Sequence, residues 1–329
     1  GDKVGINQVS WDPASKTLVV ESDELLQEHS RYALVVTNGV RDASGDPIEG
    51  GRFSYLRQGP DRDDPPGRDW ADYRRSLQDV DRVIRPPRNH VVALSVFTTQ
   101  SISADLRKIR DQIRRSTPAP VNFMIGNSGA ARAVFPAAQL GIEWSRQTGT
   151  AAFAPFTVPT QALGVIPGAI SRVAFGTFRS PDYMNAQRVI PATGTLLGQP
   201  VPQSSNDLVV EMFLPSSPRP AGGWPVAIFG HGFTDSMYGA PWTVASVLAS
   251  RGIATMAISV VGHGGGPLGT LKVTPQPGAP VVVVPSGGRG IDQDGNGTID
   301  STEGVGAVGA LTIVSSRDGL RQTVVDLMQ

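Results

Sequence analysis

Cysteine is absent from all 329 residues. That excludes disulfides, thiolate metal sites and a cysteine nucleophile, and it leaves the redox compartment open. Net charge is absent too: 29 Lys and Arg balance 29 Asp and Glu. A nucleic-acid partner bound by phosphate neutralisation is therefore not expected. No apolar run approaches the roughly 18 residues of a membrane-spanning helix, no repeat of fixed period is present, and no signal peptide opens the chain at Gly1. With 40% hydrophobic and 18% charged residues, a sizeable core is attainable. The 38 Gly and 27 Pro point to many turns and short strands.

The most informative stretch spans residues 224–233. Val226 to Phe229 is short and wholly apolar, which predicts a strand buried on both faces. Gly230-His231-Gly232 follows. Two glycines let the backbone turn sharply and approach a ligand, so an amide at Gly232 or Phe233 can face a substrate oxygen as an oxyanion-hole donor. The periodicity of 241–250 predicts a helix, with Pro241 in its first turn and Gly252 past its end. Residues 253–261 then read as a second buried strand, ending in Gly262-His263-Gly264-Gly265-Gly266. Strand, helix and strand at this spacing form a βαβ unit with a parallel pair.

That order, together with Gly176-Thr177-Phe178-Arg179-Ser180-Pro181, Gly194-Thr195, Glu211-Met212-Phe213-Leu214-Pro215 and residues 223–232, resembles the first half of an α/β-hydrolase. More narrowly, it is similar to bacterial extracellular esterases of the virulence-factor lipase type, over roughly residues 90–329. The resemblance implies the first half of an α/β-hydrolase sheet and, in the full form, a serine carboxylic ester hydrolase acting on an ester substrate. It implies Gly232 and Phe233 as oxyanion-hole donors and His231 as support of their loop. Phe233, Met237, Tyr238 and Trp242 are candidate pocket walls. No complete Gly-x-Ser-x-Gly elbow occurs. The nearest approach, Gly126-Asn127-Ser128-Gly129-Ala130, precedes the His231 turn, and a polar turn is the simpler reading. The resemblance thus puts nucleophile, acid and catalytic histidine beyond Gln329, in a missing C-terminal part, and this segment alone is expected to be inactive. Residues 317–328 read as an amphipathic helix, with Leu320, Val324, Leu327 and Met328 at helical spacing. His263 reads as a loop residue near the pocket, and His29 and His90 as solvated.

The strongest single motif is the run 292–303, which matches a twelve-residue EF-hand loop. Asp292, Asp294 and Asn296 occupy positions 1, 3 and 5, and Gly297 the sharp turn. Thr298 would offer its carbonyl, Asp300 would bind directly or through water, and Glu303 would be bidentate. Ile299 takes the apolar anchor position. Pro285-Ser286-Gly287-Gly288 cannot form the preceding helix, so the loop is isolated and its expected task is structural. Ca²⁺ is the implied ion, and a weak isolated loop favours a calcium-rich exterior, hence secretion. Gly264-Gly265-Gly266-Pro267-Leu268-Gly269 formally fits a dinucleotide fingerprint, but the prolines at 275 and 277 block the helix it needs.

Residues 30–45 resemble the last strands of a bacterial Ig-like domain, so three regions are expected: a partial Ig-like β region at 1–58, a linker and mixed α/β region at 59–165, and the hydrolase half at 166–329. Thr17-Leu18-Val19-Val20 and residues 32–37 read as strands, 70–83 and 103–114 as helices, and 91–97 as a strand. The alternative function is a non-enzymatic, calcium-dependent extracellular binding module.

Overall fold

The computed structural model describes residues 2–50, 68–81, 90–305 and 309–329. The chain divides into two compact units, 1–103 and 104–329. In the first, β1 (Ile6–Asp12) and β2 (Thr17–Ser22) form an antiparallel hairpin, and β3 (Arg31–Thr37) pairs antiparallel with β4 (Val91–Thr98). Helix α1 (Arg68–Asp81) lays Leu77 and Val80 against Val91 and Leu94.

The second unit opens with α2 (Ala104–Arg115), whose Ile109 is fully buried while Leu106 and Ile113 pack beside it. Its Lys108 Nζ donates to the carbonyls of Gly194 and Gly198 at 2.8 and 2.6 Å. The strands are β5 (Val134–Pro136), β6 (Gly141–Gln147), β7 (Phe153–Thr157), β8 (Ile170–Asp182), β9 (Ser204–Pro215) and β10 (Val226–Phe229). Helix α3 (Ala240–Ala249) leads into β11 (Ala254–Ile258), then β12 (Thr270–Thr274) and β13 (Val282–Pro285), and α4 (Thr312–Met328) closes the chain. One sheet has the order β10-β11-β9-β8-β5 and the other β13-β12-β6-β7. The main core gathers side chains from both sheets and from α3, among them Phe175, Phe213, Trp144, Leu271 and Trp242.

These elements correct the expected α/β-hydrolase sheet. The protein is β-rich, 32% strand and 20% helix, with several antiparallel sheets and few helices around them. The βαβ unit is real, since β10 and β11 pair in parallel across α3. Every other ladder among the described residues is antiparallel, the longest being the β8–β9 pair. Hairpin connections need no crossover helix, which is why strand outweighs helix. The Ig-like part of that expectation fares similarly: among the described residues the N-terminal unit holds two separate two-stranded sheets and a helix.

A second correction concerns β10. It ends the sheet order and pairs only with β11, so Val226 and Ile228 remain 50% and 52% exposed rather than buried on both faces. Only alternate residues of such a strand reach a core, and Phe229 packs against the main one.

Candidate functional site

Beyond Phe229 the backbone turns through Gly230, and Thr234 adopts a φ of 71°. The His231 ring braces this turn at both nitrogens. Val260 N–H donates to Nε2 at 2.9 Å, so that nitrogen carries no proton, and Nδ1–H donates to the Gly232 carbonyl at 2.9 Å. Burial lowers the His231 pKa, with partial offset from the Gly232 carbonyl and Asp235. His263 lies beside it, ring centroids 5.3 Å apart, and Phe233 meets His263 edge-on at 5.1 Å. His263 is fully buried. Its Nδ1 bonds the Val261 carbonyl at 2.9 Å, while Nε2 has no partner among the described residues. Burial lowers its pKa too, opposed by the Val261 carbonyl and reinforced by His231. The site thus holds two imidazoles whose pKa values burial lowers. Neither the Gly232 nor the Phe233 amide donates to a protein acceptor among the described residues.

Three of the four candidate pocket walls sit elsewhere. Met237, Tyr238 and Trp242 belong to the main core. The Tyr238 hydroxyl donates to the Ser286 carbonyl at 2.7 Å, and the Trp242 indole donates to Glu211 Oε2 at 3.1 Å. Phe233, 64% exposed, is the aromatic of this group that meets solvent. Glu211 is fully buried, and desolvation pushes its carboxyl well above the usual range, only partly opposed by the Trp242 hydrogen bond. Burial and the neighbouring Glu211 push the Tyr238 hydroxyl up as well. Glu211 was legible as a charge inside the apolar run 208–214. Ser128 stays in an exposed turn, with Asn127 Oδ1 receiving the Val283 amide at 2.9 Å. His29 and His90 are exposed. After Gly269 comes strand β12, not the helix that a dinucleotide site requires.

In the acidic loop, Asp292, Asp294 and Glu303 bring one carboxylate oxygen each within 4.8 Å of one another. Glu303 Oε1 accepts the amides of Gln293 and Asp294 at 2.6 and 3.2 Å, and Oε2 that of Asp300 at 3.0 Å. Asp292 Oδ2 accepts the Gly297 amide at 2.9 Å, but its Oδ1 is buried with no partner. Asn296 turns its amide to Asp294 at 3.0 Å and its carbonyl to the Thr298 amide at 2.7 Å. Asp300 and Thr298 are exposed and lie outside the carboxylate cluster. Among the described residues no second EF-hand pairs with the loop. In its place the β6–β7 turn does: Ile299 N–H donates to the Thr148 carbonyl at 2.8 Å, Thr150 N–H to Gly297 at 3.2 Å, and Gly149 bridges Thr298. Nothing in the composition of 148–150 marks it as that partner. The oxygen-only donor set and the orphaned Asp292 oxygen fit a hard cation such as Ca²⁺.

No protein-family profile, curated protein or solved structure matches the chain.

Proposed function

We propose that this chain is a calcium-holding part of an extracellular carboxylic ester hydrolase. The reading is carried by one observation: the Gly232 and Phe233 amides are unengaged in the β10–α3 connection of a parallel βαβ unit, beside the His231 and His263 rings. Unengaged amides fixed in place suit the negative charge that develops on an ester carbonyl oxygen, because no reorganisation is needed when the charge forms. His231 holds their turn with both ring nitrogens, which leaves it no free nitrogen for proton transfer. No serine hydroxyl pairs with a histidine ring among the described residues, so this reading takes the serine nucleophile and its base from outside them. The cation belongs to Asp292, Asp294 and Glu303, and its contribution there is to neutralise crowded carboxylates.

The test is turnover of a short-chain chromogenic ester by the full-length protein. Phe233→Pro removes the Phe233 N–H and is expected to lower kcat by about 10²–10³. Equal turnover by wild type and variant rejects the amide assignment. The second reading, a non-enzymatic calcium-dependent binding module, is favoured by the acidic cluster together with the absence of an assembled nucleophile among the described residues. It predicts no hydrolysis at all by the full-length protein.

A further inference from the structure

The acidic loop and the turn carrying His263 are gripped together from two sides. On one side, the Gly262 amide donates to the Arg289 carbonyl at 3.1 Å and the Arg289 amide to the His263 carbonyl at 2.8 Å. Gly290 N–H continues this short ladder to the Gly265 carbonyl at 2.7 Å. On the other side, Gly304 and Val305 lie directly against Gly262, where an added Cβ would fall 2.3 Å from Val305 N. Ile299 reaches in between, against Gly266 and Gly290. Arg289 anchors the first jaw. Its guanidinium donates to the Ser259 carbonyl at 3.2 Å and pairs with buried Asp326 at 2.8 Å.

The two jaws, 289–290 and 304–305, adjoin the first and last carboxylates of the loop, Asp292 and Glu303. Three carboxylates within 4.8 Å repel one another, and a cation reverses that force. Resting on the calcium reading above, we infer that a divalent cation at Asp292, Asp294 and Glu303 closes these jaws on the 262–266 turn and so sets the position of His263 and, through ring contacts, of His231 and Phe233. Arg289 is the positioning residue that transmits the closure. A cation can do this because it binds the closed arrangement better than the open one.

The experiment is amide hydrogen exchange and ¹H–¹⁵N imidazole spectroscopy on the full chain, with and without Ca²⁺, alongside calorimetric titration of Ca²⁺. At a Ca²⁺ concentration a hundred times Kd, exchange at the Gly262, Arg289 and Gly290 amides is expected to slow by up to about a hundredfold, and the His263 resonances to shift. Glu303→Gln, or Asp294→Asn should that variant misfold, is expected to abolish both effects. Arg289→Gln should still bind Ca²⁺ while the His263 shift is lost, and Arg289→Lys should restore it. Calcium binding in wild type with unchanged exchange and an unmoved His263 overturns the clamp and leaves the calcium reading standing. Absence of binding removes both. An Arg289→Gln variant that keeps the full His263 response removes Arg289 from the path.

Discussion

Two residues show how local rules yield to neighbours. Gly319 sits inside α4, where alanine would ordinarily gain about 1 kcal/mol in helix propensity. Here the helix backbone lies so close to Val305 that an added Cβ would fall 2.1 Å from the Val305 carbonyl oxygen. Gly319→Ala is therefore expected to destabilise the protein by about 1–2 kcal/mol net, read from urea unfolding. Burial pushes the Glu211 pKa well above its ordinary value near 4.5 in the fold, whereas in the unfolded chain the carboxyl ionises near that value. The folded state thus binds the extra proton between that pH and its raised pKa. Stability falls as pH rises through that window, by up to about 1.4 kcal/mol per pH unit. His231 and His263 act in the opposite sense. Their folded pKa values lie below 6.5, so stability falls as pH drops under that value. Unfolding of Glu211→Gln across a pH series should lose the decline at higher pH and keep the one below about 6.5.

At the scale of one element, α4 only half follows its expected apolar stripe. Leu327 and Met328 pack against buried clusters, yet Leu320 and Val324 are 48% and 45% exposed. The buried face carries Ser315, Asp318, Gln322, Thr323 and Asp326 beside Val325. Each polar group there meets a specific partner. Asp318 accepts the Ile190 amide at 3.0 Å, Gln322 Oε1 accepts the Tyr183 amide at 2.9 Å, and the Ser180 hydroxyl donates to Asp326 at 2.7 Å. Burial raises the Asp326 pKa even with Arg289 and Ser180 opposing the shift. Asp326→Ala strands the Arg289 charge and is expected to cost about 3–5 kcal/mol, whereas Leu320→Ser should stay within about 0.5 kcal/mol. Denaturant midpoints of the two variants decide this. The helix itself was readable from 317–328, but the face it buries was not. Hydropathy periodicity has no access to hydrogen-bond partners more than a hundred residues away.

For the whole molecule, the described hydrogen bonds of the acidic loop stay within 104–329, to Thr148, Thr150 and the loop's own backbone. Calcium is accordingly expected to raise the unfolding temperature of 104–329 alone, and a chelator to lower it. At a hundredfold excess over Kd the gain is about 2.7 kcal/mol. Segment-resolved exchange during a thermal ramp is the measurement, and an unchanged transition on chelation counts against the metal site. No helix in the described residues is long and apolar enough to cross a membrane.

By itself the sequence determined what depends on neighbours along the chain. The β10–α3–β11 unit followed from apolar runs and glycine turns, and the acidic loop from ligand spacing within twelve residues. Tertiary structure decided everything that depends on pairing across the chain. It set β10 at a sheet edge, made most ladders antiparallel, turned the polar face of α4 inward and enclosed Met237, Tyr238 and Trp242 in the core. The physical reason is that burial and strand order are properties of what arrives opposite a residue, and those partners are distant in sequence and leave no periodic trace in it.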